Sequence, residues 1–442
     1  MKLKTILLGT ALVASTLVSV LPASAQQGGI YIPLLTYRTG GFAVSGVQIG
    51  SGMADYLNML NERDGGIGGV KLNVEECETG YDTKKGVECY EQVKGKNPVV
   101  INPYSTGITL QIIPKAAVDK IPVLSMAYGL SASADGQNFP WIFNPPATYW
   151  DGASMFVKYI GEKEGGLDKL KGKKIGLVHL DAPFGKEPIP LLEALAKDYG
   201  FEMKYYPVPA SEMQNQSSLW LNVRRDRPDW IYMQGFGAMN PTAVKEAIKI
   251  NYPMDHLIGN WWAGGDDDAR PAGPQAKGYL ALSFNQTGTE APVMKDILKH
   301  IVDKGKSLIA KEKVGETLYN RGVVNSIIIA EAIRNAQRIS GKKEITGEDM
   351  RRGLETLEIS AARLKEIGAD GFMAPMKVSC EDHNGHNSAF MAQWDGTKYV
   401  KASDWIAPLK EKVNPLIQSA SKDYVGANAG WPKRSEPYDK SS

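Results

Sequence analysis

Few residues in this 442-residue chain are spaced for covalent or metal chemistry. Gly305-Lys306-Ser307 ends like a phosphate-binding loop, but position 300, where such a loop needs glycine, holds His300. Neither Gly-x-Ser-x-Gly nor His-Glu-x-x-His occurs. Cys380, His383 and His386 follow one another at a spacing loosely suited to a metal, yet they share one polar loop with no clear fourth ligand. A hydrogen-bonded turn explains them better, and a hydrolase would have to use His383 or His386 with Asp382. We therefore expect no catalytic residue, no metal and no cofactor. Of the three cysteines, Cys77 ends the strand-like run Val70–Glu76 and Cys89 lies in a helical pattern that starts near Thr83. A strand end and the following helix can bring two Cα atoms within disulfide reach. The expectation is a Cys77–Cys89 bridge with Cys380 free, the alternative being two small buried residues.

The compartment suits a disulfide. Lys2 and Lys4 precede an apolar stretch from Ile6 to Leu21, and Ala23-Ser24-Ala25 has the form of a cleavage site, so residues 1–25 read as a secretory signal. No later apolar run is long enough to span a bilayer. The expected product is a soluble, extracytoplasmic protein. Without those residues, 49 basic side chains face 49 acidic ones, which leaves no global field to attract nucleic acid. A composition 43% hydrophobic and 23% charged is globular, and the length suits two to three domains.

The elements that must position a site alternate in type. Ile30–Leu35 is β-like, Val47–Arg63 repeats its apolar residues near a 3.6 period, and Gly65-Gly66-Ile67-Gly68-Gly69 forces a turn before Lys71–Glu75. A helix around Lys84–Val93, a strand Val99–Ile101, a helix Leu110–Asp119 and a strand Ile121–Ser125 complete a βαβαβα order, which implies a doubly wound parallel sheet. The pattern restarts after Pro145-Pro146, with β-runs at Lys174–His179, Glu202–Tyr206, Asp229–Met233 and His256–Gly259. Leu280–Phe284 is followed by the helical stretches Val293–Lys304 and Val323–Ser340, then by Ile345–Leu357 opened by Thr346. Asp395-Gly396 between alternating runs predicts a hairpin. Beyond Ala402 we expect a short helix-like piece and a polar tail, Lys433–Ser442.

In this order the sequence resembles the type I periplasmic solute-binding proteins that serve branched-chain amino acid and related ABC importers. The pieces that carry the likeness are Ala54–Gly69, similar to a helix ending in Asn-x-x-Gly-Gly-Ile-x-Gly with one extra residue, and Pro103–Gly107. Ile121–Ser125, Asp181–Gly185 and Tyr319–Ala336 add to it. The resemblance spans Gly29 to about Val400. It implies an α/β protein of two doubly wound parallel-sheet lobes joined by a three-strand hinge, with ligand in the interlobe cleft. The expected division is 1–25 signal peptide, 26–146 with 284–371 as one lobe, 147–283 with 372–401 as the other, and 402–442 as an extension.

The resemblance also places the site. Ser105 and Thr106 stand where the family's hydroxyl-rich loop takes the ligand carboxylate, and a helix N-terminus favours an anion; N-capping by Ser105 accounts for the same residues. Ser125, Ala127 and Tyr128 match the second first-lobe contact. Loop one offers Tyr37, Arg38 and Phe42, with Arg38 a candidate for a bidentate carboxylate pair. From the second lobe come Phe184, Gln234 and Phe236, with Trp150 near the hinge. Amino-acid binders of the family tend to hold the ligand ammonium with an acid near Asn260–Ala263, where this chain has Trp261 and Trp262. The function expected is capture of a small carboxylate with an apolar, even aromatic, body for an ABC importer, by a monomer acting with permease subunits. The alternatives are a hydrophobic amino acid binder or a ligand-sensing domain.

Overall fold

The computed structural model describes residues 28–385, 388–432 and 434. The expected signal segment 1–25, His386 and most of the expected tail lie outside the described residues. Two sheets form. In the first, Ile30–Thr36 pairs in parallel with Leu72–Glu78. Single parallel bridges, Leu34 to Asn102 and Ile101 to Val123, then connect it to the parallel pair Val123–Leu124 and Ile142–Phe143. The expected strand at 99–101 thus takes part through isolated bridges only.

The second sheet has seven strands in the order Tyr399–Lys401, Phe390–Trp394, Leu280–Ser283, Leu257–Gly259, Trp230–Gln234, Lys174–Leu180, Glu202–Val208. The last five are mutually parallel, while Phe390–Trp394 runs antiparallel to both its neighbours. The sheet is therefore mixed: its five parallel strands are those of the expected doubly wound lobe, and the expected hairpin adds two strands at one edge, the first of them antiparallel. The turn explains it: Asp395 Oδ1 accepts from the N–H groups of Thr397 (2.8 Å) and Lys398 (3.0 Å), closing a hairpin whose first strand lies along Leu280–Ser283. Met376–Lys377, expected in the second lobe, instead pairs antiparallel with Glu358–Ile359. It follows the bridge between Asn285 and Met373, which keeps the chain beside the first group of helices until after Gly385.

Two long helices, Ala43–Asp64 and Thr317–Ser340, pack along each other. Their closeness depends on glycine: a Cβ at Gly52 would stand 2.0 Å from the Tyr319 carbonyl oxygen, and one at Gly322 2.2 Å from that of Ile49. The helix Gly347–Glu355 opens with the expected Thr346, whose hydroxyl and Asp349 form a capping box. At the C-terminus, Lys410–Ala427 is an 18-residue helix rather than a short piece. It touches both sides of the molecule: Lys412 pairs with Asp198 at 2.7 Å, while Tyr424 and Trp431 pack on Phe139 with ring centroids 5.1 and 5.3 Å away.

Cys77 and Cys89 form a disulfide with Cα atoms 5.9 Å apart, and Cys380 is buried and free. Closing a loop of sequence separation 12 is worth about 3 kcal/mol through the unfolded chain. Cys77→Ser should therefore lower the urea midpoint by the equivalent of that amount, and peptide mapping of the unreduced, alkylated protein should recover the two segments linked. Three alkylated thiols without reduction would contradict it. No helix among the described residues is long and apolar enough to cross a membrane.

Candidate functional site

The C-terminal ends of the parallel strands from the two sheets face each other, and aromatic side chains meet there. Phe236 follows the central strand Trp230–Gln234 of the second sheet. Its ring centroid lies between 5.2 and 6.3 Å from those of Tyr37, Phe42, Tyr81 and Tyr128 on one side and Phe184 and Trp262 on the other. Tyr128 stacks on Trp262 at 4.3 Å and exchanges a hydroxyl hydrogen bond with Tyr37 at 2.9 Å. Trp261 stacks on Tyr149 at 5.5 Å and donates its Nε1–H across the cleft to the Ala127 carbonyl at 3.2 Å. The loop that presents both tryptophans is set locally: Asn260 Oδ1 accepts from the N–H groups of Trp262 (2.8 Å) and Ala263 (3.0 Å). Met126 and Ala127, with φ of 54° and 56°, turn the opposing loop back toward it.

The first-lobe hydroxyls are engaged. Ser105 Oγ caps its helix, accepting from Ile108 N–H at 3.4 Å, and Thr106 Oγ1 accepts from Gly129 N–H at 3.0 Å. Ser125 Oγ donates to Asn144 Oδ1 at 2.6 Å. In the second sheet, Gln234 donates to the Phe184 carbonyl at 3.3 Å, and its own Oε1 is buried without a partner.

Two expected contacts stand elsewhere. Arg38 is already bidentate to a protein carboxylate: Nε and Nη2 meet the two oxygens of Glu76 at 2.6 and 2.7 Å, and Nη1 donates to Ser51 Oγ at 3.0 Å. Its role is to tie the first strand's end to the next strand and to the following helix. Trp150 lies beside the hinge and donates Nε1–H to the Glu187 carbonyl at 2.7 Å. The Glu187 carboxylate in turn accepts from the backbone N–H of Ser131, bridging the two sides. Burial raises that carboxyl to about 7, against the lowering effect of the Ser131 bonds.

Tyr81, Tyr149, Glu187 and Arg321 reach the cleft without having been singled out from the sequence. Tyr81 had a signal: it follows the second parallel strand, as Tyr37 follows the first. The Cys380–His383 loop does not. Asp382 N–H donates to the Ser379 carbonyl at 3.1 Å, and both Cys380 Sγ (3.4 Å) and His383 Nε2 (3.5 Å) face Glu355.

With this architecture in place, the sequence profile of the periplasmic binding proteins matches residues 29–398, and the chain belongs to that family. A crystal structure from the Pseudomonas fluorescens group, described as an ABC transporter permease, is 40% identical, covers 93% of this chain and 100% of its own, and superposes with a TM-score of 0.85. A branched-chain amino acid ABC transporter protein from Thermus thermophilus with bound valine is 20% identical over 88% of this chain and 99% of its own, with a TM-score of 0.75. An R. palustris solute-binding protein in complex with benzoate is 15% identical over 86% of this chain and 97% of its own, with a TM-score of 0.67. The comparison with curated proteins finds no match. The protein is thus a type I periplasmic binding protein, a non-enzymatic, extracytoplasmic solute receptor of ABC transporters, whose partners are a small molecule and permease subunits.

Proposed function

We propose that this receptor captures a small carboxylate with an apolar body, an aromatic acid foremost, in the periplasm after loss of residues 1–25, and delivers it as a monomer to an importer of the branched-chain amino acid type. The observation that supports this reading is the ring cluster itself. Six aromatic side chains from both sides surround Phe236, Trp262 among them, and the neighbouring Trp261 stacks on Tyr149 beside them. Such a wall suits a flat apolar body, each aromatic pair adding roughly 0.5–1.5 kcal/mol beyond area burial. The hydroxyl-bearing helix start at Ser105 and Thr106 favours the anionic end. The two sheets move as lobes about crossings near 144–148, 283–285 and after Gly385, closing on the ligand.

A hydrophobic amino acid is the second reading. Asp268 is the observation in its favour, a buried carboxyl whose Oδ2 accepts from Asn240 Nδ2 at 3.2 Å, while Asn240 also donates to the Trp262 carbonyl at 3.0 Å. Calorimetric titration of the mature protein with benzoate, cinnamate, leucine and valine separates the two. Micromolar or tighter binding of an aromatic acid with weak leucine and valine is the expected result. Tight leucine or valine binding with no heat from either aromatic acid would replace the first reading by the second.

A further inference from the structure

Arg321 is accounted for neither by the fold nor by the ring cluster. It lies near the start of the helix Thr317–Ser340 and is fully buried. Nε donates to Asn285 Oδ1 at 3.0 Å and Nη2 to Ser283 Oγ at 3.2 Å, both neutral acceptors on the segment that crosses between the sheets. Nη1 is buried and has no hydrogen-bond partner. The guanidinium lies over two rings, 4.6 Å from the centroid of Phe284 and 5.4 Å from that of Trp262. No carboxylate among the described residues pairs with it. Asp268 acts on it only at longer range, and burial raises that carboxyl to about 8.

A buried cation with neutral acceptors on two edges and nothing on the third is costly, because water has been removed and no anion replaces it. The flanking rings offset part of that cost through their negative faces. Burial lowers the guanidinium to about 9, which still leaves it charged at neutral pH. A protein that only needed packing there would be as well served by methionine. The missing partner is an acceptor of negative charge, on the side of the molecule where Trp262 belongs to the cleft wall.

We propose that Arg321 is the anion anchor of the cleft, its Nη1 edge receiving the ligand's carboxylate between the Trp262 and Phe284 rings. The proposal rests on the reading of the cleft as the solute site, and it moves the main charge contact from the Ser105 and Thr106 hydroxyls to a guanidinium. It requires an acid rather than a neutral isostere, whatever the body attached to it.

The test compares acids with their amides, benzoate with benzamide and leucine with leucinamide, on wild type, Arg321→Met and Arg321→Lys. Wild type should prefer the acid of whichever pair it binds by about 100-fold, since a desolvated charge pair is lost in the amide. Arg321→Met should lose about that factor for the acid and no longer discriminate, while its unliganded melting temperature stays level or rises because an unpaired buried charge has gone. Arg321→Lys should fall between. Retention of acid binding by Arg321→Met within threefold, or equal binding of acid and amide by wild type, overturns the proposal; so does a lower melting temperature with acid preference intact. The wild-type comparison stands even where a variant fails to fold. Leucine binding through Arg321 would retire the aromatic reading and keep the anchor, whereas no binding of either acid removes both.

Discussion

Glu355→Ala should cost roughly 3–5 kcal/mol of stability, the range expected when one partner of a buried ion pair is removed. Glu355 ends the helix Gly347–Glu355 and is only 6% exposed. Its carboxylate accepts from Arg351 Nη1 at 3.0 Å and from Arg434 Nη1 and Nη2 at 2.8 and 2.7 Å. His383 Nε2 approaches to 3.5 Å. One carboxylate therefore joins a helix, the Cys380–His383 loop and the C-terminal segment. Without it, Arg351, whose side chain is 3% exposed, loses a buried counter-charge, while its pair with Glu348 involves a carboxylate that is 43% exposed. Burial alone would raise the Glu355 carboxyl, but the adjacent His383 ring, the hydrogen bonds from Arg434 and the Arg351 charge hold it well below the usual carboxylate range. The sign follows from linkage: a depressed folded-state value gives a contribution that is complete above the unfolded value near 4.5 and is lost as pH falls below it. Urea unfolding of wild type and Glu355→Gln should therefore show a gap that is constant from pH 6 to 8 and narrows toward pH 3. A gap independent of pH throughout would remove the electrostatic explanation.

The features legible in the sequence are those specified locally. The helix start at Thr346 and the Asp395-Gly396 hairpin depend on residues a few positions apart and the Cys77–Cys89 pair on residues twelve apart, and the structure contains all three. The alternation of strands and helices likewise gave both sheets, because side-chain periodicity is a local property. What one sequence cannot display is register between distant strands. Arg38 is bound to Glu76 because Leu34 pairs opposite Glu76, an alignment set by the whole sheet. The helix Lys410–Ala427 is longer than the short piece expected and runs on through Pro415, its sixth residue, which forgoes one i→i−4 hydrogen bond. Arg321 left a fainter trace: a single cation opening the otherwise apolar and small stretch Gly322–Ala330, whose meaning depends on Trp262 and Phe284 arriving from elsewhere.

Trp262→Ala should show how strongly the two sheets are coupled through their rings. The side chain is fully buried, stacks on Tyr128 at 4.3 Å, donates Nε1–H to the Tyr149 hydroxyl at 2.8 Å and forms one face of the Arg321 seat. Truncating a buried tryptophan costs about 3–5 kcal/mol through lost transfer energy and the cavity left behind. Part of that loss falls on closure rather than on folding, since Tyr128 follows a strand of the first sheet and Trp262 a strand of the second. Small-angle scattering of the unliganded variant should then give a larger radius of gyration than wild type. Trp262→Phe separates the contributions. It keeps a ring against Tyr128 but removes the donor to Tyr149, so a loss of about 1–3 kcal/mol is expected, the cost of a buried polar group deprived of its partner. If Trp262→Ala lost less than about 1 kcal/mol by urea titration and kept the wild-type radius, far below the range for such a truncation, the rings would be in contact without coupling the sheets. The cleft would then be held shut by the Glu187–Ser131 bond and the Lys410–Ala427 helix instead.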